Sequence, residues 1–465
     1  MLFSSIPFLY YFLPCVLALY FLAPFRYKNF VLLMFSLIFY SWGEPRYIFL
    51  MIGSILLAYV EGLMIERSQG RKRRKYILIA SCAVHCSFLL FFKYTDFLIE
   101  NINALGAQIP LLKIALPIGI SFYTFQILSY LVDVYRGDCA AQKNLISFGA
   151  YVSMFPQLIA GPIVRYRDIA MQLECRQHTI EKAALGIRRF IFGLSKKVIL
   201  ANGLGELCSI FQSSSDVSVL YYWLYAVAFT LQIYFDFSGY SDMAIGLGKL
   251  FGFHFPENFQ YPYLSRSIQE FWRRWHMTLG SWFRDYIYIP LGGNRVSEGR
   301  WIWNITIVWF LTGLWHGAAW NFVVWGLFFA CLLFLEKKGF AEVLQKHRIF
   351  SHIYVLLMVL ISFVIFNAGS MKEAVSYFRV MFTGGGLPLI SAEFLYYLRS
   401  YGILLIVVVV GATPWVKDKL IDMRKKEIWN CVLNLLEPVA LVILLLVVSA
   451  YLINDSYNPF LYFRF

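Results

Sequence analysis

Apolar runs, each close to the length of a membrane crossing, alternate with short polar breaks along nearly the whole chain. Candidate spans fall at 2–24, 29–43, 47–65, 76–93, 111–135, 190–212, 219–243, 302–314, 319–335, 351–369, 396–413 and 430–453. The runs are continuous and do not alternate every second residue, so they read as helices and not as barrel strands. The stretch 190–212 is the weakest, because it holds Lys196, Lys197, Asn202 and Glu206; placed on the surface, it reduces twelve spans to eleven. The first run, Leu2 to Phe25, lacks a basic region before it and contains Pro7 and Pro14, so it reads as a retained helix.

The middle third departs from a plain bundle. Between about 145 and 185, and again between 244 and 300, apolar residues mix with Arg, Asp, Gly and Pro. These stretches are too polar to span and too aromatic for free loops, and predict re-entrant or interfacial amphipathic helices. The expected fold is an all-α polytopic membrane protein with 11–12 transmembrane helices. It forms one embedded domain over 1–465, with N-terminal helices at 1–135, a core at about 145–335 and C-terminal helices at 351–465.

Composition agrees. Of 465 residues, 60% are hydrophobic and 15% charged, against about 25% charged in soluble domains. That excludes a secreted disulfide scaffold, a disordered tail and a soluble nucleic-acid binder. The net charge of +14, from 41 basic and 27 acidic residues, is concentrated between apolar runs, as retention of cationic loops in the cytoplasm requires. An anionic-lipid or polyanion site is the lesser reading of the same charge. The basic loops 67–75, 336–348 and 414–428 are therefore expected inside, and the poorer loops near 94–110 and 370–395 outside. With twelve spans, both termini fall outside. Cys82 and Cys86 flank His85, but no second ligand pair completes a site, so the eight scattered cysteines read as small hydrophobes and no metal is expected.

Candidate chemistry collects in a few stretches. In QEFWRRWHMTLGSWFRDYIYIPLGGNR (269–295), Phe271, Trp275, Leu279, Trp282 and Tyr286 form one aromatic stripe of a helix. Arg273, Arg274 and Arg284 lie off the stripe, where they can meet phosphate or snorkel, and His276 sits between stripe and arginines. In WFLTGLWHGAAW (309–320), fifteen residues at ~1.5 Å each carry His316 ~22 Å inward from Trp301. An ionisable group at that depth is a functional candidate, although a hydrogen-bonded structural imidazole is the alternative. The thirteen-residue span 302–314 covers only ~20 Å, which predicts a thinned membrane there. In QIYFDFSGYSD (232–242), Asp236 and Asp242, with Ser238 and Tyr240 between them, either orient a histidine or cap and pair locally. MFPQLIAGPIVR (154–165) carries Gln157 among helix breakers. Asp133 and Arg136 are spaced to pair. Walker A, GxGxxG, HExxH and GxSxG strings are absent from the sequence. Two histidines in a cavity-prone region point to group transfer, with imidazole as base to a hydroxyl or thiol.

The chain resembles the membrane-bound O-acyltransferases, and within them the bacterial alginate O-acetyltransferase branch. The strings are PIGISFYTFQILSYLVDVYRG (117–137), FPQLIAGPIVRY (155–166), YFDFSGYSDMAIGLGKLFGF (234–253), PENFQYPYLSRSIQEFWRRWHMTLGSWFRDYIYIPLGGNR (256–295), LTGLWHGAAWNFVVWGL (311–327) and PFLYFRF (459–465). The resemblance implies catalytic His316 and His276 at a central funnel or tunnel. It also implies donor contacts from Arg273, Arg274, Arg284 and Trp275, and support from Asp236, Ser238, Tyr240, Gln157, Trp315 and Gly317. No bound cofactor is implied; acetyl-CoA is the expected donor substrate. The setting is the bacterial cytoplasmic membrane and its lipids. The acetyl group would reach an exported or cell-surface polysaccharide, through an extracytoplasmic serine-hydrolase-like partner. D-alanyl transfer to teichoic acid and a non-enzymatic flippase or transporter are the alternatives.

Overall fold

A computed structural model describes residues 1–159, 161–454 and 460–461. Ala160 of the Met154–Arg165 stretch lies outside the described residues, as does all of the ending 459–465 except Phe460 and Leu461. Among the described residues there are helices and irregular segments but no strand, as the continuous apolar runs require. Each of the twelve expected spans coincides with helical chain.

Their lengths differ from expectation. Ile48–Arg67, Arg71–Asn103, Arg348–Asn367 and Glu427–Asn454 are each long and apolar enough to cross a membrane. A fifth crossing forms if Ala392–Ser400 and Gly402–Gly411, bent by 58° at their junction, act as one. Lys28–Gly43 and Trp320–Leu335 have 16 residues each; at ~1.5 Å per residue they fall short of a ~30 Å hydrocarbon core. The helix expected from 111 begins only at Ile120. Pro117 stands before it, and Gly119 adopts a left-handed φ of 76° with its Cα so near Leu158 that a Cβ would lie 2.9 Å from that carbonyl.

The chain forms two compact units, 1–190 with 243–256, and 191–242 with 257–465. In the first, Phe3, Phe8, Phe12, Phe39 and Phe155 form a cluster with ring centroids 4.8–6.3 Å apart. The polar stretch near 145–174 is broken into Leu145–Ser153, Phe155–Leu158 and Tyr166–Glu174. It is sunk in protein: Phe148, Tyr151, Phe155 and Leu158 are wholly buried. Its interrupted backbone is satisfied from neighbours, as depth in a membrane demands. Asn144 caps Ile146 and Ser147, and the Ser36 hydroxyl accepts from the Phe155 amide at 3.1 Å. Cys82 and Cys86 are free thiols, and buried His85 pairs with Glu61 at 2.9 Å.

The second unit is built on aromatic packing. Tyr263, Phe271, Trp275, Trp309, Trp325, Phe329, Phe363 and Phe366 belong to one buried cluster, on which both candidate histidines rest.

Candidate active site

His316 is the last residue of the helix Glu298–His316. Gly317 is fully extended (φ −166°, ψ 152°), and the chain turns back into Trp320–Leu335. A single long helix through this region is thereby ruled out. The first arm has 19 residues, or ~27 Å, so the thinning expected from a thirteen-residue span does not follow from its length.

Glycine lets the arms of this hairpin meet. A Cβ at Gly313 would lie 2.3 Å from the Phe322 carbonyl oxygen, and one at Gly326 would lie 2.3 Å from that of Trp309. Asn321 then ties the start of the second arm to Arg348–Asn367, donating to the Phe366 and Ala368 carbonyls at 3.3 and 3.0 Å. The result is a near-closed aromatic box. The His316 ring meets Trp315, Trp325 and Phe366 edge-on, with centroids at 4.8, 4.9 and 5.3 Å.

The stretch around His276 differs from the single helix that its aromatic stripe predicts. Two seven-residue helices, Ile268–Arg274 and Met277–Phe283, flank a break at Trp275–His276. His276 is left-handed (φ 43°, ψ 51°), a conformation that a non-glycine residue holds only when its surroundings impose it. The cause is the segment 258–260. The Gln260 amide donates to the Arg274 carbonyl at 2.9 Å and the Met277 amide to the Asn258 carbonyl at 3.0 Å, so each broken helix end is satisfied. The stripe itself is buried through Phe271, Trp275, Leu279 and Trp282.

Asn258 also sets the state of the imidazole. Its Oδ1 accepts from the Thr278 amide (3.2 Å) and hydroxyl (2.9 Å), which fixes the amide's orientation; its Nδ2 donates to Ser241 Oγ at 3.0 Å. The 3.1 Å contact from His276 Nδ1 to Oδ1 must therefore carry the imidazole proton on Nδ1. Nε2 is left as a lone pair, buried and without a hydrogen-bond partner among the described residues. Complete burial pushes this histidine down to about 3, so it is neutral. Phe237 packs on its ring at 4.7 Å, and Trp315 lies 5.9 Å away. Trp315 thus touches both imidazoles.

A cavity of about 1050 Å³ opens beside His276; His316 is not among its lining residues. It runs along one face of the Glu298–His316 helix, past Trp301, Ile305, Val308, Trp309 and Thr312, and reaches His276 and Gly280. From Trp301 to Thr312 is eleven residues, ~16 Å of helix, and Thr312 stands one turn before His316. Cations line it as well. Arg266, Arg273, Arg284 and Lys337 all line the cavity, with the Lys337 ammonium 3.7 Å from the Trp301 ring centre. Against them stand Glu270 and Glu336. Glu336 is occupied in capping the Ile268 and Gln269 amides (2.6 and 3.1 Å).

The remaining expected residues divide. Arg274 is not among the cavity-lining residues; it pairs with Glu270 at 2.7 Å. Trp275 packs in the core against Phe259, Phe271 and Phe363. Asp236 pairs with Lys197 at 2.5 Å and accepts from the Leu461 amide, while Asp242 pairs with Lys196 at 2.8 Å. Both acids thus serve local pairing, and they account for the lysines in the weak span 190–212. Tyr240 packs on Phe460 at 4.6 Å, and Ser238 is buried on the same helix. Gln157 lies in the first unit, donating to the Tyr151 carbonyl at 2.8 Å. Asn258, Thr278, Phe237 and Phe366 were not singled out from sequence. Asn258 carries a visible signal only in its place after a chain break at Pro256. Among the described residues no three His, Cys, Asp or Glu side chains gather as a metal site.

A family model described as MBOAT, membrane-bound O-acyltransferase family, matches residues 140–372. The probable alginate O-acetylase AlgI of Azotobacter vinelandii is 43% identical over 83% of this chain and 79% of its own length. The peptidoglycan O-acetyltransferase of Helicobacter pylori is 33% identical over 84% and 81%. The teichoic acid D-alanyltransferase of Bacillus subtilis is 30% identical over 47% of this chain and 60% of its own.

Proposed function

Because this chain belongs to the membrane-bound O-acyltransferase family and is a multi-pass membrane O-acyltransferase, we propose that it acetylates a cell-surface polysaccharide across the bacterial cytoplasmic membrane. The donor is acetyl-CoA on the cytoplasmic side. The first acceptor is a hydroxyl on an extracytoplasmic serine-hydrolase-like partner, which passes the acetyl group to the polymer. One observation carries the reading: a cation-lined cavity follows ~16 Å of helix and reaches His276, whose neighbour Trp315 also packs on His316.

The cationic lining suits the donor's phosphates, with Arg266, Arg273, Arg284 and Lys337 as contacts. The acetyl thioester then lies toward Thr312 and the histidines. The acceptor oxygen attacks the carbonyl carbon, forming the C–O bond as the C–S bond breaks. Its proton passes to His316 acting as general base, and from there to the leaving thiolate. The acceptor's single proton is committed to His316, so the Nε2 lone pair of neutral His276 is open to an N–H or O–H of the donor's arm, which would hold the thioester in place. The two relatives that transfer acetyl groups align over more of this chain than the D-alanyl transferase does, which favours acetate as the cargo.

The test is acetyl transfer from labelled acetyl-CoA by the reconstituted protein. His316→Ala should lower the rate at least ~10²-fold, the value of a lost general base, with melting unchanged. Near-wild-type transfer by a folded His316→Ala variant overturns the assignment. Transport of a glycan without any donor would instead support the transporter reading, and a D-alanyl carrier as the sole effective donor would support the teichoic acid reading.

A further inference from the structure

The first unit holds a second concentration of positive charge, apart from the histidine site and buried. Arg176 is 7% exposed and Lys28 9%. Both converge on Tyr20, which is fully buried. The Tyr20 hydroxyl donates to the Phe251 carbonyl at 2.8 Å and accepts from Arg176 Nε at 2.8 Å. His178 Nε2 lies 2.9 Å from the same oxygen. Since the hydroxyl proton is already committed to Phe251, His178 must be the donor there. The Lys28 ammonium stands 4.5 Å from the centre of the Tyr20 ring.

Buried cations are ordinarily matched by carboxylates. Among the described residues no carboxylate forms an ion pair with Lys28, Arg176 or His178. Arg176 is partly offset: Nη1 reaches Asn29 Oδ1 at 2.8 Å and the Gln172 carbonyl at 3.1 Å, near a helix C-terminus. Its Nη2 is buried and has no hydrogen-bond partner among the described residues. Among the described residues Lys28 has only the aromatic faces of Tyr20 and Phe21. His178, in the loop after Tyr166–Glu174, is held below its ordinary value by burial and then by the charges of Lys28 and Arg176, so it adds no third charge; its one N–H is spent on the Tyr20 hydroxyl and, at 3.2 Å, the Phe251 carbonyl.

The side of the membrane follows from contacts within this unit. Arg74 donates to the Val134 and Tyr135 carbonyls, Glu66 accepts from the Ala141 amide, and Asn29 donates to Ser147. These put Lys28 at the same end as the basic loop 67–75, which charge bias assigns to the cytoplasm. Basic pockets between helices on that side are where anionic headgroups bind.

We propose that Lys28 and Arg176 form a phosphate-binding site at the cytoplasmic end of the first unit, with His178 holding the Tyr20 hydroxyl on which they converge. Its ligand is a phosphate group, carried by an anionic phospholipid or by a soluble phosphate compound. The free donors at Lys28 Nζ and Arg176 Nη2 take its oxygens, and the anion supplies the charge the cluster lacks.

The test is thermal unfolding of the full chain in phosphatidylcholine nanodiscs, which needs no activity. One arm replaces part of the lipid with phosphatidylglycerol; a second adds sodium phosphate against sodium chloride at equal ionic strength. Lys28→Met keeps the stem over Tyr20 and avoids disturbing the hydrogen bonds of Arg176. Lys72→Met, exposed in the first turn of Arg71–Asn103, controls for general surface charge. A rise in melting temperature in the first arm identifies a lipid headgroup, and in the second a soluble phosphate. Lys28→Met should weaken the apparent affinity in the responding arm by about five-fold, the worth of one cation at an anionic membrane surface, while Lys72→Met leaves it unchanged. A wild-type protein indifferent to both phosphates overturns the proposal, as does a Lys28→Met protein that responds as the wild type does.

Discussion

Gly313→Ala is the most direct probe of how the fold holds His316. The added methyl would start 2.3 Å from the Phe322 carbonyl oxygen and 3.1 Å from its carbon. Close C···O contacts settle near 3.3 Å or more, so the hairpin arms must part by about 1 Å. The obstacle is backbone, and no side-chain rotation relieves it. Overpacking of this kind costs about 1–3 kcal/mol. His316 lies three residues further along the same helix and shares the shift. A misplacement of about 1 Å at a reacting group costs about 10²-fold in rate. Acetyl transfer by the reconstituted variant should fall by that order while melting drops only modestly. Gly299→Ala, on the same helix but with nothing within 4 Å of its Cβ, should leave the rate unchanged. If Gly313→Ala transfers at the wild-type rate, the hairpin contact does not position His316 and the argument fails.

Asn258→Ala removes the acceptor shared by His276 Nδ1 and Thr278, leaving buried donors unmet; at about 1–3 kcal/mol for each orphan, transfer should drop about ten-fold or more, and an unaltered rate would remove Asn258 from the positioning of His276. Asn258→Asp keeps the acceptor and should retain more activity than the alanine variant in the same assay. Single cysteines introduced into loops 67–75 and 414–428 should resist an impermeant thiol reagent on intact cells, and ready labelling at either would invert the topology.

The apolar helices were legible, because hydropathy period and length report them directly, whereas Met371–Thr383 and Trp415–Arg424 are helices where polar loops were expected at 370–395 and 414–428. Helix ends were not. The crossing expected from 111 starts at Ile120, since Pro117, Gly119 and the nearby Leu158 carbonyl decide its beginning, and the last of these is a long-range contact. His316 was readable as an ionisable residue between apolar runs. The break at His276 was not: the aromatic stripe from Phe271 to Tyr286 has the period of one helix, and only Asn258 and Gln260, arriving from an earlier segment, interrupt it. Asp236 and Asp242 showed that they needed partners without showing which. Lys196 and Lys197, which made the span 190–212 look weak, were those partners.

Nine of the thirteen tryptophans lie between 272 and 325, and several of them form the walls just described. Trp315 separates the two imidazoles, Trp272 and Trp309 face the cavity, and Trp325 closes the box around His316. The intrinsic emission of this protein is therefore dominated by the surroundings of one candidate site. Occupancy of the cavity changes the polarity around these indoles, so their wavelength and intensity form a built-in optical gauge. Ligand arrival can be followed in real time on the unlabelled wild-type chain, without a chemical turnover to report it.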